Sequence, residues 1–235
     1  MKTPYEIFIS FRYLKTKKRY CTISLNTFIS IAGVVIGVAT SIITLSVMTG
    51  FQDYFRDKIL SAMPHINVLE MSGNGVKDQK TLQERVQGVP HVVATTPFIY
   101  AQSMLTSQDR MQGVIVRGID PRTEASVTDL AKNMTVGSLG QLEGTKTGLP
   151  GIIIGEDLAR KFAVSIGEPV TMVNPLGEET AMGIVPKMKK FEVVGLFDAG
   201  MYDYNTGFVY ISLAAAQQFF DMPGRISGVQ VRIDE

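Results

Sequence analysis

The chain has 235 residues, 45% of them hydrophobic and 19% charged, with a formal net charge of +1 and a single cysteine. This near-neutral balance, without a basic stripe or an RNA or DNA module pattern, gives no electrostatic footprint for nucleic acid. One thiol, Cys21, rules out a disulfide-stapled scaffold, so any folded domain must rest on its own core, which this length permits.

The chain opens with "MKTPYEIFISFRYLKTKKRY", which places Ile7, Phe8, Phe11 and Leu14 on one helical face and follows them with Lys15, Lys17, Lys18 and Arg19. The pattern predicts an interfacial helix on the cytoplasmic leaflet within residues 1–21; a disordered basic tail is the alternative. Positions 20–52 then carry no charge. A bilayer core takes about 20 apolar residues and a secretory h-region only about 7–15, so the run predicts a retained transmembrane helix over 22–50. No small-residue cleavage site follows it. Six basic residues against Glu6 precede the span, which keeps that end in the cytoplasm. Of the 23 Lys plus Arg and 22 Asp plus Glu, 17 and 21 lie beyond it, so the large part is mildly acidic and exported.

Phe51, Phe55, Ile59 and Leu60 recur at helical spacing and predict that the span continues as a helix over 51–62. Past it the period shifts from 3.6 towards 2. Strands are predicted at 65–71, 92–106, 111–119, 151–154, 170–173, 191–197, 208–211 and 229–233, and helices at 81–87, 123–132, 156–162 and 213–220. The fold class is therefore α+β: one transmembrane helix followed by a mixed α/β domain over 51–235. The glycine-rich stretch 137–151 marks a subdomain seam.

Catalytic constellations do not emerge. His65 and His91 stand at strand starts without Cys, His or paired carboxylates at metal-ligand spacing, so no metal site is expected. Glu156 and Asp157 fall in a first helical turn, where the helix dipole accounts for them. Gly140-QLEG-Thr145-Lys146-Thr147 resembles a phosphate loop, but threonine stands where the second glycine is needed, and the stretch is expected to follow no strand and open no helix. No G-x-S-x-G is present. The sequence reads as a non-enzyme without a cofactor of its own.

Several words nevertheless resemble a known family in family order: "RYL" with its basic cluster, "LSVMTGFQ", "ILSAMP", "RGIDP" from Arg117, "IIIGEDLARKFAVSIGEPVTMVNP" and "FEVVGLFDAGMYDYNTGFVYI". They look like the lipoprotein-releasing ABC-transporter permeases of the LolC and LolE type, which are related to MacB-type permeases. The resemblance implies a periplasmic domain with a porter-like part (51–120 and 191–235) and an inserted second subdomain (121–190). It also implies a bacterial inner-membrane location, a separate cytoplasmic ATPase that binds the ATP, a second permease subunit as homo- or heterodimer, a lipoprotein cargo, and a periplasmic lipoprotein carrier. Such permeases resemble one another in having three further spans, and no second run of about 18 apolar residues occurs here, so a fragment is expected.

Three groups of residues follow as candidates. Gly33 and Gly37, a G-x-x-x-G pair flanked by Ala32 and Ser41, would let a partner helix approach closely. Val47, Met48 and Phe51 lie where the family's exit helices border the cargo cavity, and are expected to touch the acyl chains of cargo or lipid, or else to pack on further spans. The seventeen residues "NPLGEETAMGIVPKMKK" between predicted strands show no clear periodicity and are read as a protruding connection. Its Pro175, Leu176, Met182, Ile184, Val185 and Pro186 look, by position, like the family's carrier-binding hook, with Lys187, Lys189 and Lys190 as a basic second contact. An ordinary exposed hairpin is the alternative. Competing functions are a MacB-type efflux permease for toxins or antibiotics, a signal-anchored periplasmic binding or sensor module, and, more remotely, an anchored enzyme.

Overall fold

The computed structural model describes residues 5–14, 21–62, 64–70, 75–145, 147–180 and 183–234, with backbone alone at 11, 13–14, 21–24, 55–62, 176, 178–180 and 183–184. The basic cluster Lys15 to Arg19, together with Lys146 and Met182, lies outside the described residues. Two compact units result, Met1–Phe55 and Arg56–Glu235.

The first unit contains α1 (Tyr5–Leu14) and most of α2 (Cys21–Ala62). The latter is one uninterrupted helix of 42 residues, so the predicted span and its extension form a single element. Within it, Leu25–Tyr54 is long and apolar enough to cross a membrane. Some of its hydroxyls find partners inside the helix: Ser30 Oγ donates to Asn26 O, Ser41 Oγ to Gly37 O and Thr49 Oγ1 to Leu45 O. Hydrocarbon offers no water to satisfy a hydroxyl, so these back-bonds let Ser and Thr sit in the run at little cost.

The second unit is built on a nine-stranded sheet: β1 (Ile66–Leu69), β2 (Val92–Ser107), β3 (Arg110–Ile119), β4 (Met134–Val136), β5 (Gly151–Gly155), β6 (Pro169–Thr180), β7 (Gly183–Phe197), β8 (Phe208–Ser212) and β9 (Gly228–Ile233). Their spatial order is β1-β9-β2-β3-β8-β5-β7-β4, with β6 pairing both β2 and β7. β3–β8 and β5–β7 are parallel; the other pairs are antiparallel. β5 and β6, which the sequence assigns to the inserted stretch 121–190, hydrogen-bond to β8 and β2 of the flanking stretches. All eight expected strands are present. The short β4 and a 3₁₀ turn, Leu139–Leu142, are additions, and together they show that the phosphate-loop look-alike does follow a strand.

Strand alternation divides the core between the two faces. On one face Ile99, Val116, Ile152, Ile154, Val209 and Ile211 meet α5 (Glu156–Phe162) and α7 (Leu213–Phe219), whose Leu158, Phe162 and Phe219 are fully buried. Each such side chain contributes about 1.5–3 kcal/mol by leaving water. On the other face Ile119, Ile153, Phe197 and Tyr210 meet Tyr204 of α6 (Tyr202–Gly207). No helical period marks α6 in the sequence, because six residues are too few to show one. The remaining helices are α3 (Gln79–Gln87), capped by Asp78, whose carboxylate accepts from Thr81 N, and α4 (Glu124–Val127). The helix expected over 123–132 is thus cut to one turn: Thr128 is extended, and Thr128 N bonds back to Glu124 O.

α5 forms where expected. Glu156 and Asp157 occupy its first turn, Arg160 and Lys161 its last, as the macrodipole favours. Arg160 Nη2 also lies 3.0 Å from Asp157 Oδ1. Gly155, at its N-cap, is a close-approach glycine: an added Cβ would stand 2.0 Å from the carbonyl oxygen of Asn205 on α6.

Candidate functional site

The arm expected as an aperiodic connection is a β-hairpin formed by the outer halves of β6 and β7. Towards its base Thr171↔Lys190, Met172↔Lys189, Val173↔Met188 and Asn174↔Lys187 pair; towards its tip Glu178↔Val185, Glu179↔Ile184 and Thr180↔Gly183 resume after a register shift. The shift explains the missing period. Pro175 and Pro186 have no N–H for the ladder, so the strands slip where they occur, and alternation read straight through that point loses phase. Gly177 fits the slip because a Cβ there would stand 1.9 Å from Val185 O.

On this arm Pro175, Val185, Pro186 and Met188 are exposed. The side chains of Leu176 and Ile184, like Met182, lie outside the described residues. Among the lysines, Lys187 Nζ donates to Asp221 Oδ1 at 2.6 Å and to Gln218 O at 3.1 Å, and Lys189 Nζ donates to Gln218 Oε1 at 2.6 Å. Partial burial, with the neighbouring Lys187 charge, holds the Lys189 ammonium below the ordinary lysine range. Lys190 is exposed. Lys189 and Lys190 look onto a broad cleft of about 1030 Å³, shared with Arg122, Glu143 and Gln218.

In the helical unit, a Cβ added at Gly33 or Gly37 would meet nothing within 4 Å, so no contact among the described residues demands glycine there. Val47, Met48 and Phe51 are more than half exposed. His91 Nδ1 lies 3.2 Å from Asp234 Oδ1, both on the surface. Among the described residues, no three His, Cys, Asp or Glu side chains gather at metal-binding distance.

The most unusual polar feature of the domain is a cluster that shows in the sequence only as the arginine of "RGIDP". Register places Tyr100, Arg117 and Tyr210 side by side on β2, β3 and β8. Arg117 is 4% exposed, its guanidinium carbon 5.6 Å from the centre of the Tyr210 ring. The hydroxyls of Tyr204 and Tyr210 are 2.8 Å apart. Burial works against the Arg117 charge, but Tyr210, Glu124 and Tyr204 outweigh it and hold its pKa above the ordinary arginine value. Burial pushes the Glu124 carboxyl up, against the pull of Arg117, and the Tyr210 phenol well up. Glu124 Oε1 accepts from Thr128 Oγ1 at 2.8 Å. The available sequence signal was one charge in the β-branched run "VIVRGI", on the core-facing side of a strand.

The family model of the MacB-like periplasmic core domain matches residues 27–235. "Lipoprotein-releasing system transmembrane protein LolC" of Neisseria meningitidis serogroup B is 31% identical over 97% of this chain and 54% of its own length. The protein of the same name from Xylella fastidiosa is 32% identical over 100% of the chain and 55% of its own. "Lipoprotein-releasing system transmembrane protein LolE" of Haemophilus influenzae is 25% identical over 100% and 56%. The chain thus spans about half the length of the curated relatives it matches. Among solved structures, the extracellular domain of the noncanonic ABC-type transporter YknZ from Gram-positive bacteria superposes with a TM-score of 0.47 at 13% identity, over 72% of this chain and 82% of its own. The periplasmic region of MacB from Actinobacillus actinomycetemcomitans gives 0.43 at 13%, over 73% and 67%.

Proposed function

The chain belongs to the family of the MacB-like periplasmic core domain, and from that premise we propose that it serves a permease subunit of an ATP-driven complex that releases lipoproteins from the inner membrane to a periplasmic carrier. The observation that carries this reading is the likeness to proteins named for a lipoprotein-releasing system, which covers 97% to 100% of the chain. In it α2 anchors the subunit with its basic amino end in the cytoplasm, and ATP is hydrolysed by a separate subunit. A second permease subunit packs at Gly33 and Gly37, and Val47, Met48 and Phe51 meet the acyl chains of the cargo.

The β6–β7 arm is the carrier's handle in this scheme. A hairpin that carries Pro175, Val185 and Pro186 into solvent has apolar surface to cover, and a carrier edge or groove covers it. The lysines at its base add a charged contact, with Lys190 the most exposed of the three. A MacB-type efflux permease is the second reading, favoured by the family's description.

Carrier binding separates the two. The purified chain, with residues 176–185 present or replaced by a two-residue turn, is titrated with the lipoprotein carrier of the same genome. The intact chain should bind and the shortened one lose at least tenfold in affinity, while Lys190→Glu should weaken binding several-fold in a salt-sensitive way. Equal affinity of intact and shortened chains moves the protein to the LolE-like or MacB-like side of the family.

A further inference from the structure

Beside β1 lies a cavity of about 400 Å³, at the lower end of small-ligand sites, whose walls include Leu69, Phe98, Tyr100 and Phe208 and whose polar groups include Arg117 and Gln230. Arg117 is 4% and Gln230 2% exposed. Among the described residues, neither Nε nor Nη2 of Arg117, nor Oε1 of Gln230, has a hydrogen-bond partner. Among the described residues Arg117 also makes no ion pair within 4 Å; Glu124 is felt at longer range and spends Oε1 on Thr128. Tyr204 engages the guanidinium from α6 and Tyr210 offers it a ring face. What is left unfilled has a definite shape. Nε–H and Nη2–H are the two parallel donors on one edge of a guanidinium, the pair that meets both oxygens of a carboxylate at once.

A buried cation with that edge unfilled is costly to the fold. From this geometry we propose that the cavity is a binding site for a monocarboxylate on an apolar stem: the carboxylate takes the Arg117 fork, an N–H or O–H beside it donates to Gln230 Oε1, and the stem lies between Leu69, Phe98 and Phe208. Two free donors and one acceptor match a carboxylate better than a phosphate, whose three terminal oxygens call for more donors. The site is distinct from the β6–β7 arm and does not depend on the transport reading.

N-octanoylglycine, which has all three features, is the probe, with octanoate and the neutral octanamide as comparisons. The complete chain in lipid nanodiscs is titrated calorimetrically, with empty nanodiscs subtracting partition into lipid. N-octanoylglycine should bind with a dissociation constant below 1 mM, ~4 kcal/mol; octanoate should bind more weakly for want of the donor, and octanamide at least tenfold more weakly than N-octanoylglycine. Arg117→Met should abolish binding and Arg117→Lys reduce it about tenfold, since an ammonium is a point charge without the fork. Leu69→Trp guards against misfolding: this exposed position on β1 accepts a large ring at the cavity mouth, so binding should disappear while thermal stability holds. Equal binding of acid and amide, binding that survives both Arg117→Met and Leu69→Trp, or no binding at millimolar acid would each overturn the assignment.

Discussion

Tyr204 and Asn205 are neighbours on α6, yet they serve two buried polar neighbourhoods of opposite character. Asn205 is 2% exposed and its amide is used completely: Nδ2 donates to Asp157 Oδ2 at 3.0 Å and to Asp198 Oδ1 at 2.7 Å, while Oδ1 accepts from Ala199 N at 2.9 Å. Arg117, reached through Tyr204, is as deeply buried and leaves two donors unfilled. The closed network behaves as structure: it ties α5, the end of β7 and α6 together, and Gly155 lets them approach. The open one behaves as a place prepared for something else, because a fold that can satisfy every atom of Asn205 had the means to satisfy Arg117 as well.

The largest effect should come from opening the closed network. Asn205→Ala strands the buried Ala199 N–H and removes two charge-assisted bonds. At about 1–3 kcal/mol for each unsatisfied buried group, partly recovered by water at the exposed Asp198, the loss should be about 3 kcal/mol. Urea unfolding of the chain in detergent, followed by the near-ultraviolet signal of its tyrosines, measures it. A loss below about 1 kcal/mol would erase the contrast with Arg117.

A medium effect should come from Glu124, the carboxylate that acts on Arg117 among the described residues. Its folded pKa is raised from the ordinary 4.5 by burial. A carboxyl raised in this way holds its proton more tightly when folded, so the stability it contributes is complete below the unfolded pKa and is lost as pH rises through the folded one. Glu124→Gln keeps an oxygen for Thr128 and removes the titration. Wild type and variant should therefore be alike near pH 4, with the variant gaining relative stability as pH rises to about 8. The opposite trend would mean that Arg117 and Glu124 close on each other as an ion pair.

How much of this was legible in sequence follows the physics of each region. The span showed because hydrocarbon imposes a long uncharged run, and the strands showed because one face of each is apolar with period 2. The family words located the arm and α5. Three features stayed hidden. The strand pairing of the arm, named only as an alternative to an aperiodic connection, lost its period at the slip near Pro175 and Pro186; α6 was too short to have one; and the unfilled edge of Arg117 depends on what β9, α4 and α6 bring to it from distant parts of the chain. A charge at a core-facing strand position announces that something must compensate it. Only the fold shows which atoms remain uncompensated.

The smallest effect tests the opposite extreme, a cation that is satisfied at the surface. Lys187 Nζ sits 2.6 Å from Asp221 Oδ1, with side-chain exposures of 26% and 60%. Exposed pairs of this kind typically give about 0.2–1 kcal/mol because water screens the attraction and two flexible side chains lose freedom. Asp221 also holds a positive φ of 55°, a left-handed conformation that an Asp→Ala change strains, so Asp221→Asn is the better partner substitution. A double-mutant cycle of Lys187→Met and Asp221→Asn should give a coupling of about 0.5 kcal/mol that shrinks in about 0.5 M salt. The same cycle read on carrier affinity sharpens the comparison further. Under the proposed carrier-binding reading, with Lys187 held by Gln218 O and Asp221, Asp221→Asn should loosen its ammonium and strengthen carrier binding slightly, whereas Lys190→Met, at an exposed position, should weaken it whether or not Asp221 is intact. Coupling above about 2 kcal/mol would place Lys187 with Asn205 among the structural groups and leave Lys190 as the arm's main basic contact among the three lysines.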